Sequence, residues 1–231
     1  MLLTACYQKL SPWLYSPLDR RGRAYLESHL DLLDAESDEF LELFIAEYKE
    51  KPEEQRRLRL ARHILRDASE RGRTTEAVRD TYINVFGGLI LDPPAWLQEI
   101  EQQWMPRLAE PWTERRAALG KLQLRGAIER AQLDLTIAPT IGAELQFLLG
   151  NLFANDLLKR PADTFETIVD CYTAALQIYS IERYPLRRAK ILLTLGDVYR
   201  RQATDQHADL LLQATYYYGQ ALGIYNTREP V

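Results

Sequence analysis

The chain has 231 residues, 46% of them apolar, and carries 29 basic and 33 acidic side chains for a formal charge of −4. That is enough apolar material for one extended helical domain or two small ones, and the interspersed charge lacks the basic footprint of a nucleic-acid binder. No apolar run reaches the roughly eighteen residues a membrane-spanning helix needs, and the two cysteines, Cys6 and Cys171, form neither a metal pair nor a disulfide framework, which fits a reducing cytoplasm.

Residues 1–25 combine Trp13, Tyr15 and Tyr25 with Pro12, Pro17 and the basic cluster Arg20, Arg21 and Arg23. The prolines argue against a long helix. The segment is expected to be an aromatic-anchored lead-in packed on the first helices, the alternative being a docking segment for an acidic partner. Leu3-Thr4-Ala5-Cys6 has the look of a lipobox, but such a signal needs a basic segment and an apolar stretch of roughly 7–15 residues before the cleavage point. Only five residues precede Cys6.

From Tyr25 to Gly72 the pattern is helical. Asp34 is placed to cap a helix whose first turn is acidic, and Pro52 at a first helical position with Gly72 past a last one brackets the next. There Leu58, Ala61, Ile64 and Leu65 form the apolar stripe. Thr74 or Thr75 can cap a further helix ending at Phe86, stopped by Gly87-Gly88. That glycine pair lacks both the Gly-x-x-x-x-Gly-Lys-Ser/Thr pattern and a preceding strand, so it is read as a breaker, not a phosphate loop. Asp92 caps, and Pro93-Pro94 open, a helix through Trp96, Ile100 and Trp104. A boundary is expected within Gly87–Pro94, dividing a helical module at 1–91 from a repeat region at 92–231. A helix about Trp112–Leu135 offers Leu119, Leu122, Ala127, Ala131 and Leu135 for one side, and its place before Pro139 suggests the second helix of a degenerate earlier repeat.

Residues 139–184 and 185–231 are one unit written twice. An offset of 46 pairs Pro139 with Pro185, Leu149-Gly150 with Leu195-Gly196, Tyr172 with Tyr218, Ala175-Leu176 with Ala221-Leu222, and Ile178-Tyr179 with Ile224-Tyr225, and makes eleven of forty-seven positions identical without a gap. In each copy, Leu-Gly followed by an aromatic (Phe153, Tyr199) sets a large side chain beside a missing one on a first helix. The second helix carries Tyr172, Ala175, Leu176 and Tyr179, recurring as Tyr218, Ala221, Leu222 and Tyr225, at the i, i+3, i+4, i+7 spacing of an apolar stripe. Glycine lets the stripe approach closely.

These phrases resemble the tetratricopeptide repeat, in a version longer than the usual period of about 34 residues. The extra length falls between the helices of a repeat (157–163 and 203–209) and before the next proline (180–184). Long forms with Tyr-x-x-Ala-Leu-x-Ile-Tyr are similar to repeats found in front of CHAT domains, caspase-like peptidase domains of filamentous bacteria and cyanobacteria. Residues 32–72 are similar to a module seen ahead of such repeats. The resemblance implies an all-α fold, a helical-pair solenoid of about two and a half repeats behind a small helical module.

Residues with catalytic potential are scattered. His29, His63 and His207 lie far apart in sequence, Cys171 sits beside Tyr172 on the striped helix as a buried and inert thiol, and the acidic residues fall in helix first turns or at salt-pair spacing such as Glu53–Arg57. Neither a calcium loop nor zinc-ligand spacing occurs, and no cofactor, metal site or enzymatic activity is expected.

The resemblance implies instead a concave surface lined by first helices, on which extended peptides or partner helices lie. Its groove positions correspond to Glu144, Phe147, Asn151, Ala154 and Asn155 in the first copy, and Lys190, Leu193, Asp197, Arg200 and Arg201 in the second. Asn151 and Lys190 stand where clamp-type repeats hold a peptide carboxylate, but Phe147 occupies a place where the clamp wants Lys, so a mixed peptide groove is expected. Arg200 and Arg201 have the alternative role of neutralising a helix C-terminus. Tyr216, Tyr217, Tyr218 and Tyr225 are expected on an end face covered by another protein, a second copy in a homodimer, or the N-terminal module. The functional expectation is a cytoplasmic, non-catalytic interaction scaffold with a protein or peptide partner. The alternatives are an adaptor of a CHAT-type peptidase, a peptide or small-ligand sensor, and an assembly chaperone.

Overall fold

The computed structural model describes residues 2–15, 18–104, 114–156, 161–203 and 208–227, and every regular element among them is helical. Pro17, Trp112, His207 and Val231 lie outside this set, as do residues 157–160 and 204–207 of the links expected to lengthen each repeat, and the side chains of residues 3–5 and Trp104. The chain divides into two compact units between Val85 and Phe86, so residues 87–94 fall in the second.

The first unit opens with α1 (Leu2–Leu14), which runs through Pro12. The expectation that proline would forbid this helix is corrected by position: in the last turn the ring forfeits one backbone bond, and Ser11 Oγ lies 3.4 Å from Gln8 O, the carbonyl left without its amide. Trp13 is fully buried and donates its Nε1–H to Tyr82 Oη at 3.0 Å, so the lead-in is core. Within α2 (Arg20–Ser28), capped by Asp19, Arg23 is buried and pairs with Glu27 at 3.3 Å, which withdraws it from any acidic docking patch. Asp34 caps α3 (Ala35–Glu47) by accepting Ser37 N–H at 2.7 Å. Pro52 opens α4 (Pro52–Glu70), and Gly72, at φ +115°, ends it. Thr74 Oγ1 then accepts Ala77 N–H at 3.1 Å to start α5 (Thr75–Phe86). Leu10, Leu26, Leu41, Ile64 and Tyr82 form the buried centre of this unit.

The second unit turns at Gly87 (φ +92°) into a short 3-10 turn, Gly88–Ile90. Next, α6 (Ala95–Trp104) begins where Pro94 O takes the amides of Leu97 and Gln98 at 2.9 and 3.1 Å. α7 (Glu114–Leu133), α8 (Pro139–Asp156), α9 (Pro161–Ile178), α10 (Pro185–Gln202) and α11 (Ala208–Asn226) follow, each packed on the one before it. The side of α7 that faces inward carries Ala117, Leu124, Ala127 and Ile128. Of the expected stripe Ala127 is buried as read, but Leu119 and Leu122 (69%) are exposed, because α7 has apolar residues on both sides and α8 covers the other one, and Leu135 (97%) lies beyond the helix. Arg130, at the position Leu176 holds in the first clear copy, lies with Cζ 4.7 Å from the Trp96 ring.

Candidate interaction surface

One interhelical contact repeats in both copies. A side chain built on Gly150 would place its Cβ 2.5 Å from the Tyr172 ring, and one on Gly196 would place it 2.7 Å from Tyr218. The absent methyl groups let α9 and α11 close on α8 and α10. Each tyrosine then uses its hydroxyl the same way, on the residue that follows the glycine: Tyr172 donates to Asn151 Oδ1 and Tyr218 to Asp197 Oδ1, both at 2.7 Å. At this contact the offset of 46 read from the chain is also a spatial equivalence.

A buried polar cluster joins the first copy to the start of the second. Tyr179, 0% exposed, has its hydroxyl 3.0 Å from Glu144 Oε2 and 3.0 Å from Thr140 O, and it accepts the Gly88 N–H at 3.0 Å. Arg187, from the first turn of α10, grips Glu144 through both Nε and Nη2, with its Cζ 4.7 Å from the Phe147 ring. A Cβ on Gly87 would fall 2.3 Å from Glu144 Oε2, and one on Gly88 1.9 Å from Thr140 O. The glycine pair is therefore more than a helix stop: it is the only residue type whose backbone fits over this ion pair. Burial pushes the Glu144 carboxyl above the ordinary glutamate range, opposed by the Arg187 guanidinium and the Tyr179 hydroxyl.

Three of the expected groove residues are corrected. Glu144 and Phe147 are both buried, at 4%, because Arg187 reaches across from the next helix pair to cover them. Ala154 is buried as well. Asn151 is half-buried and already holds Tyr172. The accessible members are Asn155 on α8 and, on α10, Lys190, Leu193, Arg200 and Arg201, with Asp197 half-buried beneath Tyr218. Arg200 lies 3.2 Å from Tyr218 Oη and 3.5 Å from Asp197, and both arginines stand in the last turn of α10, where they also complement its C-terminal carbonyls. Although Lys190 is exposed as a residue, its amine is held below the usual lysine range by partial desolvation and by the neighbouring Arg187 charge, with Glu144 opposing. On α11, Tyr217 and Tyr218 are half-buried while Tyr216 and Tyr225 are exposed.

Sequence reasoning missed Thr140, Arg187 and the packing role of Gly87 and Gly88. A charged residue two places after a helix-opening proline carries no mark of burial until its partner 43 residues earlier is brought to it. Cys171 is buried and its thiol is pushed up to about 11 by desolvation and the nearby Asp170 charge, which leaves little thiolate at neutral pH. Among the described residues no group of three or more His, Cys, Asp or Glu side chains is arranged to hold a metal ion, and no helix is long and apolar enough to cross a membrane. No protein-family model, curated protein or solved structure gives a significant match to the chain.

Proposed function

We propose that the chain is a non-catalytic interaction module whose second unit is a tetratricopeptide-like stack of roughly two and a half helical pairs, and that a partner protein or peptide lies along the exposed side of α10. The observation that supports this reading is the matched pair of contacts, Gly150–Tyr172–Asn151 and Gly196–Tyr218–Asp197. Such contacts order the helices while leaving Leu193, Arg201 and Asn155 outside the core. Charged and apolar side chains held on a rigid helical face suit recognition of an extended or helical segment. The test is affinity capture with mass spectrometry on the full chain, beside a variant carrying Leu193→Asp and Arg201→Glu. Both sites are exposed, so the variant should melt like the parent. Loss of specific partners from the variant is the expected result, and recovery of the same partners in equal amount would refute the assignment.

A further inference from the structure

We propose that the outer flank of α11 is a docking site for an amphipathic helix of a partner protein, one that opens with a carboxylate where α10 carries Arg187. This deepens the interaction-module proposal and rests on it.

The argument comes from comparing the two copies position by position. In the first, α10 covers α9: Tyr199 packs edge-on to Phe165 with ring centroids 5.1 Å apart, Tyr184 does the same to Tyr179 at 5.7 Å, and Leu176 lies against the cluster that holds Leu192. Arg188 Nη1 closes the end of α9 by donating to Leu176 O and Tyr179 O at 2.9 and 3.0 Å. In the second copy the residues equivalent to Phe165, Leu176 and Tyr179 are Leu211, Leu222 and Tyr225, and these are 48%, 58% and 37% exposed. The flank carries apolar residues at the positions that take a helix in the first copy.

Its charge, however, is inverted. Glu144, which receives Arg187 in the first copy, is replaced in the second by Lys190. A helix seated on α11 as α10 sits on α9 would bring its third residue to Lys190, and Arg187 itself stands near that amine already, depressing it. An arginine there would meet a like charge, whereas a glutamate or aspartate would be paired. The occupant is thus specified: a carboxylate at its third position, a cation at its fourth to close the last carbonyls of α11, and apolar residues at its eighth and fifteenth to cover Leu222 and Leu211.

Two stapled peptides of the Pro185–Gln202 sequence test this, one unaltered and one with Arg187→Glu, titrated by fluorescence anisotropy against the full chain. The staple supplies the helicity that a peptide of this length lacks alone. The acidic peptide is expected to bind at least about tenfold more tightly than the unaltered one. Lys190→Glu in the full chain should reverse that order, and Leu222→Asp should abolish binding of both. Both substitutions are at exposed positions, and unchanged thermal melts would show that the variants fold. Failure of both peptides to bind, a preference that Lys190→Glu leaves unchanged, or sedimentation as a dimer that Leu222→Asp dissociates would each overturn the proposal. The capture experiment on Leu193 and Arg201 is unaffected by any of these outcomes, so the two proposals fail separately.

Discussion

Glycine-to-alanine substitution at Gly150 isolates the contact on which each helical pair closes. Alanine in a helix interior is favoured over glycine by about 1 kcal/mol, and at Gly126 and Gly219 an added Cβ would meet nothing within 4 Å, so those substitutions should deliver that gain in full. At Gly150 the Cβ would lie 2.5 and 2.9 Å from two Tyr172 ring carbons. That ring has nowhere to go: Tyr172 is fully buried, its hydroxyl is held by Asn151, and Phe147 lies 5.6 Å away between centroids. Overpacking of this kind costs about 2–3 kcal/mol, which outweighs the propensity gain and leaves Gly150→Ala about 1–2 kcal/mol less stable than the parent. Gly196 faces the same clash on paper, at 2.7 and 2.8 Å, but Tyr218 is only half-buried and its ring can shift outward, so Gly196→Ala should be close to neutral. Urea unfolding followed by circular dichroism gives the four values directly, and at this chain length each kcal/mol should also move Tm by about 2–4 °C. The order expected is Gly126 and Gly219 above Gly196, and Gly196 above Gly150. Equal stability of Gly150→Ala and Gly126→Ala would refute the interlocking of α8 with α9.

Removing half of the buried ion pair should be more severe: Glu144→Gln leaves Arg187 uncompensated and is expected to cost about 3–5 kcal/mol, with partial recovery in the double variant Glu144→Gln, Arg187→Met, measured by the same unfolding curves. Gly88→Ala drives a Cβ into the Thr140 carbonyl and should destabilise by about 3 kcal/mol. Burial raises the phenols of Tyr82, Tyr172 and Tyr179 above their ordinary value of about 10. A group whose pKa rises on folding stabilises fully below its unfolded pKa and loses that contribution as pH climbs through the folded one. Stability should therefore hold to about pH 10 and fall above it, with these three tyrosinates appearing in absorbance only as circular dichroism is lost. Cys6 and Cys171 are buried with raised thiols, and a thiol reagent at neutral pH should label both only as fast as the protein opens.

Helix boundaries were legible wherever their cause is local. Asp34, Pro52, Thr74, Pro139 and Pro185 act on the turn they open, so a short stretch of sequence is enough to place them. The Gly150–Tyr172 and Gly196–Tyr218 contacts were legible because the duplication states them twice. The inward face of α7 was not: leucines stand on both sides of that helix, and the position of α8 chooses between them. Nor could Glu144 be told from a groove residue, because a carboxylate fourteen residues from its nearest basic neighbour in sequence looks solvated until Arg187 and Tyr179 arrive from elsewhere. Pro12 misled for the opposite reason, a strong local rule applied one turn too early in a helix about to end.

The exchange of Glu144 for Lys190 also bears on head-to-tail contact between copies of this chain. A modular stack whose end faces accepted one another could add head to tail between molecules, and open-ended addition of this sort leads to fibres. Here the α10–α11 hairpin carries Arg187 as its key, and Glu144 of α8, beside the α9 flank, is the matching lock. Offered the α11 flank of another molecule, the same hairpin would bring Arg187 to Lys190, a like-charge contact that disfavours this head-to-tail addition.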